Sequence, residues 1–348
     1  MSTTWRTFLE QAGYVANADA GYFADPEREL RAALDGDVLC ALSGHGLIRA
    51  EGADAVSFLQ GQLTNDVRRV TPEHSQLSGY CTPKGRLLAC FRLFQRGEGY
   101  FLRLPRERVE ALLKRLRLYV LRAKVTFADA SDEEVALGLA GPRASDWLRS
   151  VLGDAPAAVD AVVQSEGLTV IRVPSADGHV RFELYGEAPA CQRLWTEWAG
   201  RGTYAGPAAW RLLDIEAGIP TIYDATAEAF VPQMANLQLL QGINFQKGCY
   251  TGQEIVARTR YLGKAKRRMY RARVQSEPAP APGDAVFSAT LGEIGKIADA
   301  CRHPEGGHEV LAVAMIDGVE AGAVCLRDAQ GPTLDILPLP YPFEETAA

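Results

Sequence analysis

The sequence predicts an α+β protein with more than one domain, and three observations lead to this prediction. The chain has 348 residues, which is more than a single compact core usually organises. Helix-like periodicity alternates with short strand-like apolar runs over most of its length. A proline-rich connector at 276–283 then precedes short β-like pieces separated by glycines, which favours a small β-barrel at the C-terminus.

The individual elements follow from apolar spacing and from residues that start or stop regular structure. Helices are predicted at 54–65, 106–118, 191–198 and 210–216, with a further helix that opens at Gly141-Pro142. Strands are predicted at 87–93, 125–127, 168–173 and 180–185. The last two strands, with the helices on either side of them, indicate a separate α+β unit in the middle of the chain.

Composition indicates a cytoplasmic globular protein. Hydrophobic residues make up 47% of the chain and charged residues 23%, as in ordinary soluble domains. The N-terminus lacks the apolar core of a signal peptide, and no run approaches the roughly 18 apolar residues of a membrane span. The seven cysteines are scattered and never spaced C-x-x-C, which is typical of a reduced compartment. We therefore expect a cytoplasmic monomer without membrane contact.

Several common kinds of site are missing from the sequence. There is no P-loop pattern, and Gly44-His45-Gly46 lacks the third glycine of a dinucleotide fingerprint. The five histidines form no close metal-ligand pair, and no G-x-S-x-G elbow occurs. We therefore expect neither a bound metal nor a serine nucleophile. The net charge of -6 restricts any nucleic-acid contact to a local patch.

The segment 247–254 carries the densest chemical signal. It consists of Lys247, Gly248, Cys249, Tyr250, Thr251, Gly252, Gln253 and Glu254. Thr251 and Glu254 are spaced as a capping box, so a helix is predicted to begin at Thr251. Cys249 would then lie before a helix N-terminus and two residues from Lys247, and both the dipole and the cation favour a thiolate. The alternative is that Cys249 is a small buried apolar residue in a loop that needs its glycines.

Further distinctive stretches accompany this segment. They are FLQGQLTNDV (58–67), FVPQMANL (230–237), GINF (242–245) and LPLPY (337–341). Together with KGCYTGQE (247–254) they closely resemble the YgfZ family, folate-binding relatives of the glycine-cleavage aminomethyltransferases. The resemblance implies a three-domain ring with a central folate cleft, a ferredoxin-like middle domain and a C-terminal small β-barrel. The implied domains are ~1–115 joined with ~205–270, which carries the folate site and the motif, then ~116–204 and ~271–348.

The resemblance also implies a cofactor, partners and roles for single residues. The cofactor would be tetrahydrofolate or a one-carbon derivative. Glu216 matches the glutamate that accepts the two parallel donors of the pterin ring, and Trp210 matches a tryptophan that stacks against folate. His45 falls at an N-terminal folate-contacting position. A solvated helix position is the alternative for Glu216.

The partners implied are iron–sulfur enzymes, including those that modify tRNA, and Cys249 would be the residue that matters for them. Aminomethyltransferases use an aspartate to activate the folate nitrogen, but Leu88 and Ala89 occupy the corresponding stretch here. Ordinary aminomethyl transfer is therefore not expected. Three functions stay open: a folate-binding maturation or repair factor that works through Cys249 and Lys247, a one-carbon transferase, and a non-catalytic folate sensor.

A basic run lies directly after the motif. It comprises Arg258, Arg260, Lys264, Lys266, Arg267, Arg268, Arg271 and Arg273, with no acidic residue among them. Such a run in a protein of net negative charge could contact the glutamyl tail of folate or an RNA backbone. A solvated strand or hairpin is the alternative.

Overall fold

The computed structural model describes residues 1–16, 21–176, 179–261 and 266–343. Its helices are α1 (Thr3–Gln11), α2 (Pro26–Asp35), α3 (Ala55–Gln60), α4 (Val109–Leu118), α5 (Ala144–Leu152), α6 (Ala188–Glu197), α7 (Pro207–Glu216), α8 (Gln253–Tyr261) and α9 (Ile316–Glu320). Short 3₁₀ turns occur at Val67–Arg69, Arg106–Arg108, Asp224–Thr226 and Pro232–Ala235. Within the described ranges, none of the helices combines the length and hydrophobicity that crossing a bilayer requires.

Strands account for much of the remaining chain. They are β1 (Val38–Ala41), β2 (His45–Glu51), β3 (Gln76–Cys81), β4 (Leu87–Arg96), β5 (Gly99–Pro105), β6 (Thr126–Asp129), β7 (Val135–Ala140), β8 (Val162–Ser165), β9 (Leu168–Val173), β10 (Arg181–Gly186), β11 (Thr203–Ala205), β12 (Arg267–Val274), β13 (Ala285–Ser288), β14 (Gly292–Arg302), β15 (His308–Met315), β16 (Val324–Leu326) and β17 (Asp335–Leu337). The predicted α+β class is confirmed at this level.

By its contacts the chain divides into two compact units, and both are discontinuous in sequence. Unit 1 comprises Met1–Ala55, Arg69–Ser75 and Arg92–Asp214. Unit 2 comprises Val56–Arg68, Gln76–Phe91 and Ile215–Ala348. The three-domain boundaries implied by the family resemblance stay a prediction.

Unit 1 is organised around a six-stranded sheet with the order β11-β1-β7-β10-β9-β8. The β1–β11 pair is parallel and the other pairs are antiparallel. Because successive side chains of a strand point to opposite faces, β1 buries Leu39 with the aromatic cluster of α1 and α6, and Cys40 with α2 and α7. The second half of β4 pairs with β5 in this unit. Strand β5 also pairs with β2, and β2 pairs with β6.

Unit 2 contains a second six-stranded sheet, entirely antiparallel, with the order β16-β13-β14-β15-β12-β17. Its apolar side chains form a core of their own, which includes Tyr270, Ile297 and Leu326. This sheet is compatible with the predicted small β-barrel at the C-terminus, but its strand β12 lies before the proline-rich connector. The same unit holds α3, β3, the first half of β4 and α8, which together build the site described next.

Helix α3 is shorter than predicted, because its last residue bonds to the residues that follow it. Apolar periodicity extends the helix to Asn65, but α3 ends at Gln60. Beyond it, the Gln60 side chain accepts a hydrogen bond from the Val67 backbone at 2.8 Å and donates to Asp66 at 3.0 Å. The chain therefore turns after Gln60, and backbone carbonyls that a longer helix would pair internally are directed elsewhere.

Candidate functional site around Cys249

Cys249 lies in the loop that leads into α8, and its side chain is exposed. The other six cysteines are buried, and burial raises the pKa of Cys81 and of Cys191 to about 12. The alternative that Cys249 is a buried apolar residue is therefore wrong. Among the seven thiols of the chain, this one is accessible to a reaction partner.

Lys247, two residues before the cysteine, is 6% exposed. Its Nζ donates to three backbone carbonyls, those of Gln60 and Leu63 at 2.7 Å and that of Asn65 at 2.8 Å. An ammonium group has three N–H donors, so none remains for the Cys249 sulfur. Burial lowers the pKa of Lys247 to about 8, while the nearby Asp66 carboxylate acts in the opposite direction.

Two side chains of the 58–67 stretch hold the segment that leads to Lys247. The hydroxyl of Thr64 donates to the Gly242 carbonyl at 2.7 Å, and the amide of Asn65 donates to the Gln241 carbonyl at 2.7 Å. Asn65 also donates to the Leu77 carbonyl of β3 at 2.9 Å. The motif residues near the start of the chain thus position the loop that carries Cys249 through contacts that are distant in sequence.

Asn244 sets the local turn before Lys247. Its Oδ1 accepts from the backbone N–H groups of Gln246 at 2.8 Å and of Lys247 at 3.0 Å. Its own N–H donates to the Thr64 carbonyl at 3.0 Å. The side chain therefore substitutes for a backbone acceptor in a tight turn and fixes the direction in which Lys247 leaves it.

The loop packs closely against the turn that joins β3 to β4. Gly252 has φ +84°, and a Cβ built on it would lie 2.5 Å from the Thr82 carbonyl oxygen. Gly85 has φ +67°, and its Cβ would lie 2.7 Å from Ile255 of α8. Only glycine fits at these two positions. It adopts the left-handed backbone conformation easily, and it has no Cβ atom that would clash with the neighbouring atoms.

The start of the helix differs from the prediction. Helix α8 begins at Gln253, and not at Thr251. The Thr251 hydroxyl donates to Gln62 at 3.4 Å, and its backbone N–H donates to the Gly61 carbonyl at 3.3 Å. The reason for the difference is that Thr251 is bonded to the turn after α3. The helix therefore begins two residues further along the chain, at Gln253.

The three candidate folate contacts lie in different surroundings. Trp210, in unit 1, is 1% exposed, and the Arg181 guanidinium lies 4.2 Å from the centre of its ring. His45, also in unit 1, lines a small cavity, and burial, followed by the charge of Arg103, lowers its pKa to about 3, so the imidazole is neutral. Glu216, in unit 2, has a side chain 15% exposed and accepts from Arg271 at 2.7 Å.

A buried charged cluster in unit 1 was missed by the sequence analysis. Glu183 is 0% exposed and accepts hydrogen bonds from Arg103 and, at 2.5 Å, from Tyr185. Arg92 lies 3.9 Å from the same carboxylate. A signal was available, because Arg181, Glu183 and Tyr185 alternate along β10 and so share one face of an otherwise apolar strand.

Part of the predicted basic run is paired inside the protein. Arg271 bridges Glu216 and Glu309, and Arg273 contacts His303 at 2.6 Å and Glu309 at 3.5 Å. Among the described residues, Glu216, His303 and Glu309 could place metal ligands within 4.8 Å of one another. The two arginines already neutralise these carboxylates, so the cluster is an ion-pair network that does not favour a metal.

The rest of the run is more varied. The guanidinium of Arg260 lies 4.1 Å from the centre of the Phe245 ring, and that of Arg268 lies 3.8 Å from the centre of the Phe343 ring. Arg258 and Arg260 are exposed on α8. Lys264 falls in 262–265, outside the described residues. The structure thus separates the exposed Arg258 and Arg260 on α8 from Arg271 and Arg273 on β12, which form ion pairs within the protein.

Comparison with known proteins places the chain in a family. Residues 7–244 match the model described as the GCVT N-terminal domain. A tRNA-modifying protein YgfZ from Yersinia pseudotuberculosis is 35% identical over 313 residues, which cover 88% of this chain and 93% of the relative. The same protein from Yersinia enterocolitica is 36% identical over the same shares. The chain belongs to the YgfZ family.

A solved structure shares the fold of this YgfZ-family chain. The glycine cleavage system aminomethyltransferase T from Bartonella henselae matches with a TM-score of 0.71 at 20% identity. The match covers 98% of this chain and 97% of that chain. The predicted relationship to aminomethyltransferases is therefore confirmed for the fold, and chemistry has to be argued from residues.

Proposed function

We propose that this YgfZ-family protein supports tRNA modification and iron–sulfur cluster assembly or repair in the cytoplasm through the Cys249 thiol, with tetrahydrofolate or a one-carbon derivative as cofactor. The observation that carries the proposal is the contrast between one exposed thiol and six buried ones. The relatives that are named tRNA-modifying proteins support the choice of pathway.

The loop that carries Cys249 is held in place by two neighbouring turns. It is tied to the turn after α3 by Lys247 and to the β3–β4 turn by close glycine contacts. A nucleophile or ligand held in one place loses less conformational freedom when it reacts. The exposed thiol is therefore available to react with a client or to bind a cluster component transiently.

The fit of folate rests on Glu216 more than on Trp210. The ring of Trp210 is packed in the core, and a Cβ on Gly138 would lie 2.4 Å from it, so this conformation offers folate no stacking face. The Glu216 carboxylate is partly exposed, and a carboxylate has about four acceptor positions. It would bind the pterin donors beside its ion pair with Arg271.

The folate proposal predicts that Glu216→Gln weakens tetrahydrofolate binding by roughly tenfold or more, because an amide replaces one acceptor by a mismatched donor. Titration calorimetry measures the affinity, and Glu293→Gln, an exposed position of β14, is the matched control. Thermal unfolding of both variants shows whether the loss of the Arg271 pair has disturbed the fold. Equal affinity for the wild type and a folded Glu216→Gln would remove Glu216 from the site.

If RNA is contacted directly, the exposed arginines of α8 should carry the contact. Arg258→Glu and Arg260→Glu are each expected to flatten the salt dependence of tRNA binding by about one unit of log–log slope. The matched control is Lys296→Glu, an exposed position of β14. Fluorescence anisotropy across a salt series gives the slopes. Equal slopes for all three variants would exclude α8 as an RNA contact.

The proposed function as a whole is tested by complementation. A strain without the gene receives the wild type, Cys249→Ala or Glu216→Gln, and thiolated tRNA and iron–sulfur enzyme activities are measured. We expect Cys249→Ala to fail and Glu216→Gln to be impaired. Full rescue by Cys249→Ala with loss in Glu216→Gln would indicate the folate sensor. Production of a one-carbon product by purified protein would indicate the transferase.

A further inference from the structure

The turn that follows α3 directs a series of backbone carbonyls at one segment of the chain. The carbonyls of Gln60, Leu63 and Asn65 accept from the Lys247 ammonium. Between them, the Gly61 carbonyl accepts from the Thr251 N–H and the Thr64 carbonyl from the Asn244 N–H. Five carbonyls of the 60–65 turn are thus bonded by residues of the 244–251 loop.

We infer that Lys247 is a positioning residue, whose ammonium group fastens the Cys249 loop to the 60–65 turn and takes no direct part in the chemistry of the thiol. The inference rests on the proposed function, since it assumes that Cys249 is the working group. It replaces the prediction from the sequence that Lys247 acts beside Cys249 as a catalytic cation.

The geometry supports this inference because each N–H bond of the ammonium group has a carbonyl acceptor of its own. A lysine ammonium carries three N–H bonds in a tetrahedral arrangement, and three carbonyl oxygens lie within 2.8 Å of Nζ. Removing the ammonium would leave three carbonyls without this donor at a buried position, which is costly.

Arginine cannot replace lysine in such a site. Its guanidinium is planar and presents its donors in a fork, whereas the carbonyls of Gln60, Leu63 and Asn65 converge on one nitrogen. A cation that only stabilised a thiolate through space would be largely replaced by arginine, because the charge is kept. Lys247→Arg therefore separates positioning from electrostatic activation.

The experiment uses the full chain with Lys247→Met, Lys247→Arg and, as the matched control, Lys84→Met. Lys84 is an exposed lysine on the β3–β4 turn, which packs against α8. The readouts on purified protein are hydrogen exchange of the 248–252 amides and the pH profile of Cys249 alkylation by iodoacetamide. Complementation is measured in parallel.

A positioning role predicts faster amide exchange in 248–252 for both Lys247 variants, with the alkylation midpoint within about half a pH unit of the wild type. Both variants should fail to complement, and Lys84→Met should behave as the wild type. The inference is overturned if exchange is unchanged, or if the midpoint rises by about one unit or more in Lys247→Met and returns in Lys247→Arg.

Asn244→Ala keeps the test decisive if both Lys247 variants unfold. This change removes the acceptor that orients the Lys247 backbone and leaves the ammonium group in place. Because the ammonium group still bonds its three carbonyls, exchange in 248–252 close to that of the wild type supports positioning by the ammonium group, and much faster exchange would show that Asn244 holds the loop instead. Because exchange and alkylation are read on purified protein, rescue by Cys249→Ala would contradict the proposed function without deciding the role of Lys247.

Discussion

Iodoacetamide is expected to modify Cys249 at least about tenfold faster than any other cysteine of the chain, because it is the exposed thiol while the other six are buried. Burial both blocks the reagent and, for Cys81 and Cys191, raises the pKa to about 12, so these thiols hold their protons at neutral pH. A pH series read by peptide mass spectrometry gives the rate for each cysteine. Comparable rates at Cys249 and Cys191 would show that the loop is covered in solution.

Substitution of Cys249 is expected to abolish function while it leaves the stability of the protein almost unchanged. Cys249→Ala removes an exposed side chain from a loop, so the free energy of unfolding should change by about 1 kcal/mol or less. Cys191→Ala, which leaves a cavity in the aromatic core of unit 1, should cost more and still complement when the protein folds. Urea unfolding and complementation of both variants measure this contrast. Rescue by Cys249→Ala would remove the thiol from the mechanism.

Glu183→Gln is expected to destabilise the protein by about 3 kcal/mol or more, because it leaves a buried guanidinium without its counter-charge. Arg103 donates directly to this carboxylate, and Arg92 lies 3.9 Å from it. The free energy of unfolding in urea measures the loss, and Glu197→Gln, an exposed position in α6, is the control. Equal losses in the two variants would mean that the cluster contributes nothing specific.

The same carboxylate should give a recognisable pH dependence. Burial by itself would raise the pKa of Glu183, but Arg103 and then Arg92 outweigh burial and lower the pKa from 4.5 to about 2. The unfolded chain therefore binds a proton at a higher pH than the folded chain does. The contribution is complete above pH 4.5 and is lost as the pH falls through about 2. The difference in stability between wild type and Glu183→Gln should shrink across this window.

Several local elements and the family could be predicted from the sequence alone. Strand β9 has the bounds that its apolar run predicts. Helix α7 ends at Glu216, as predicted, and is followed by Pro220 and by Gly218, which has a left-handed backbone conformation. The apolar run of β9 and the residues that end α7 are local features, which a sequence displays directly. The KGCYTGQE motif likewise marked Cys249 as the candidate thiol, because its composition is distinctive without reference to any distant residue.

The roles of individual site residues were decided only by the tertiary structure. The sequence indicates a cation beside a thiol, but the acceptors of Lys247 are carbonyls of Gln60, Leu63 and Asn65, which are remote in the chain and carry no side-chain signature. The burial of Trp210 depends in the same way on Arg181 and Gly138. A hydrogen bond to a backbone carbonyl leaves no mark on the identity of the residue that provides it, so its partner becomes visible only when the chain is folded.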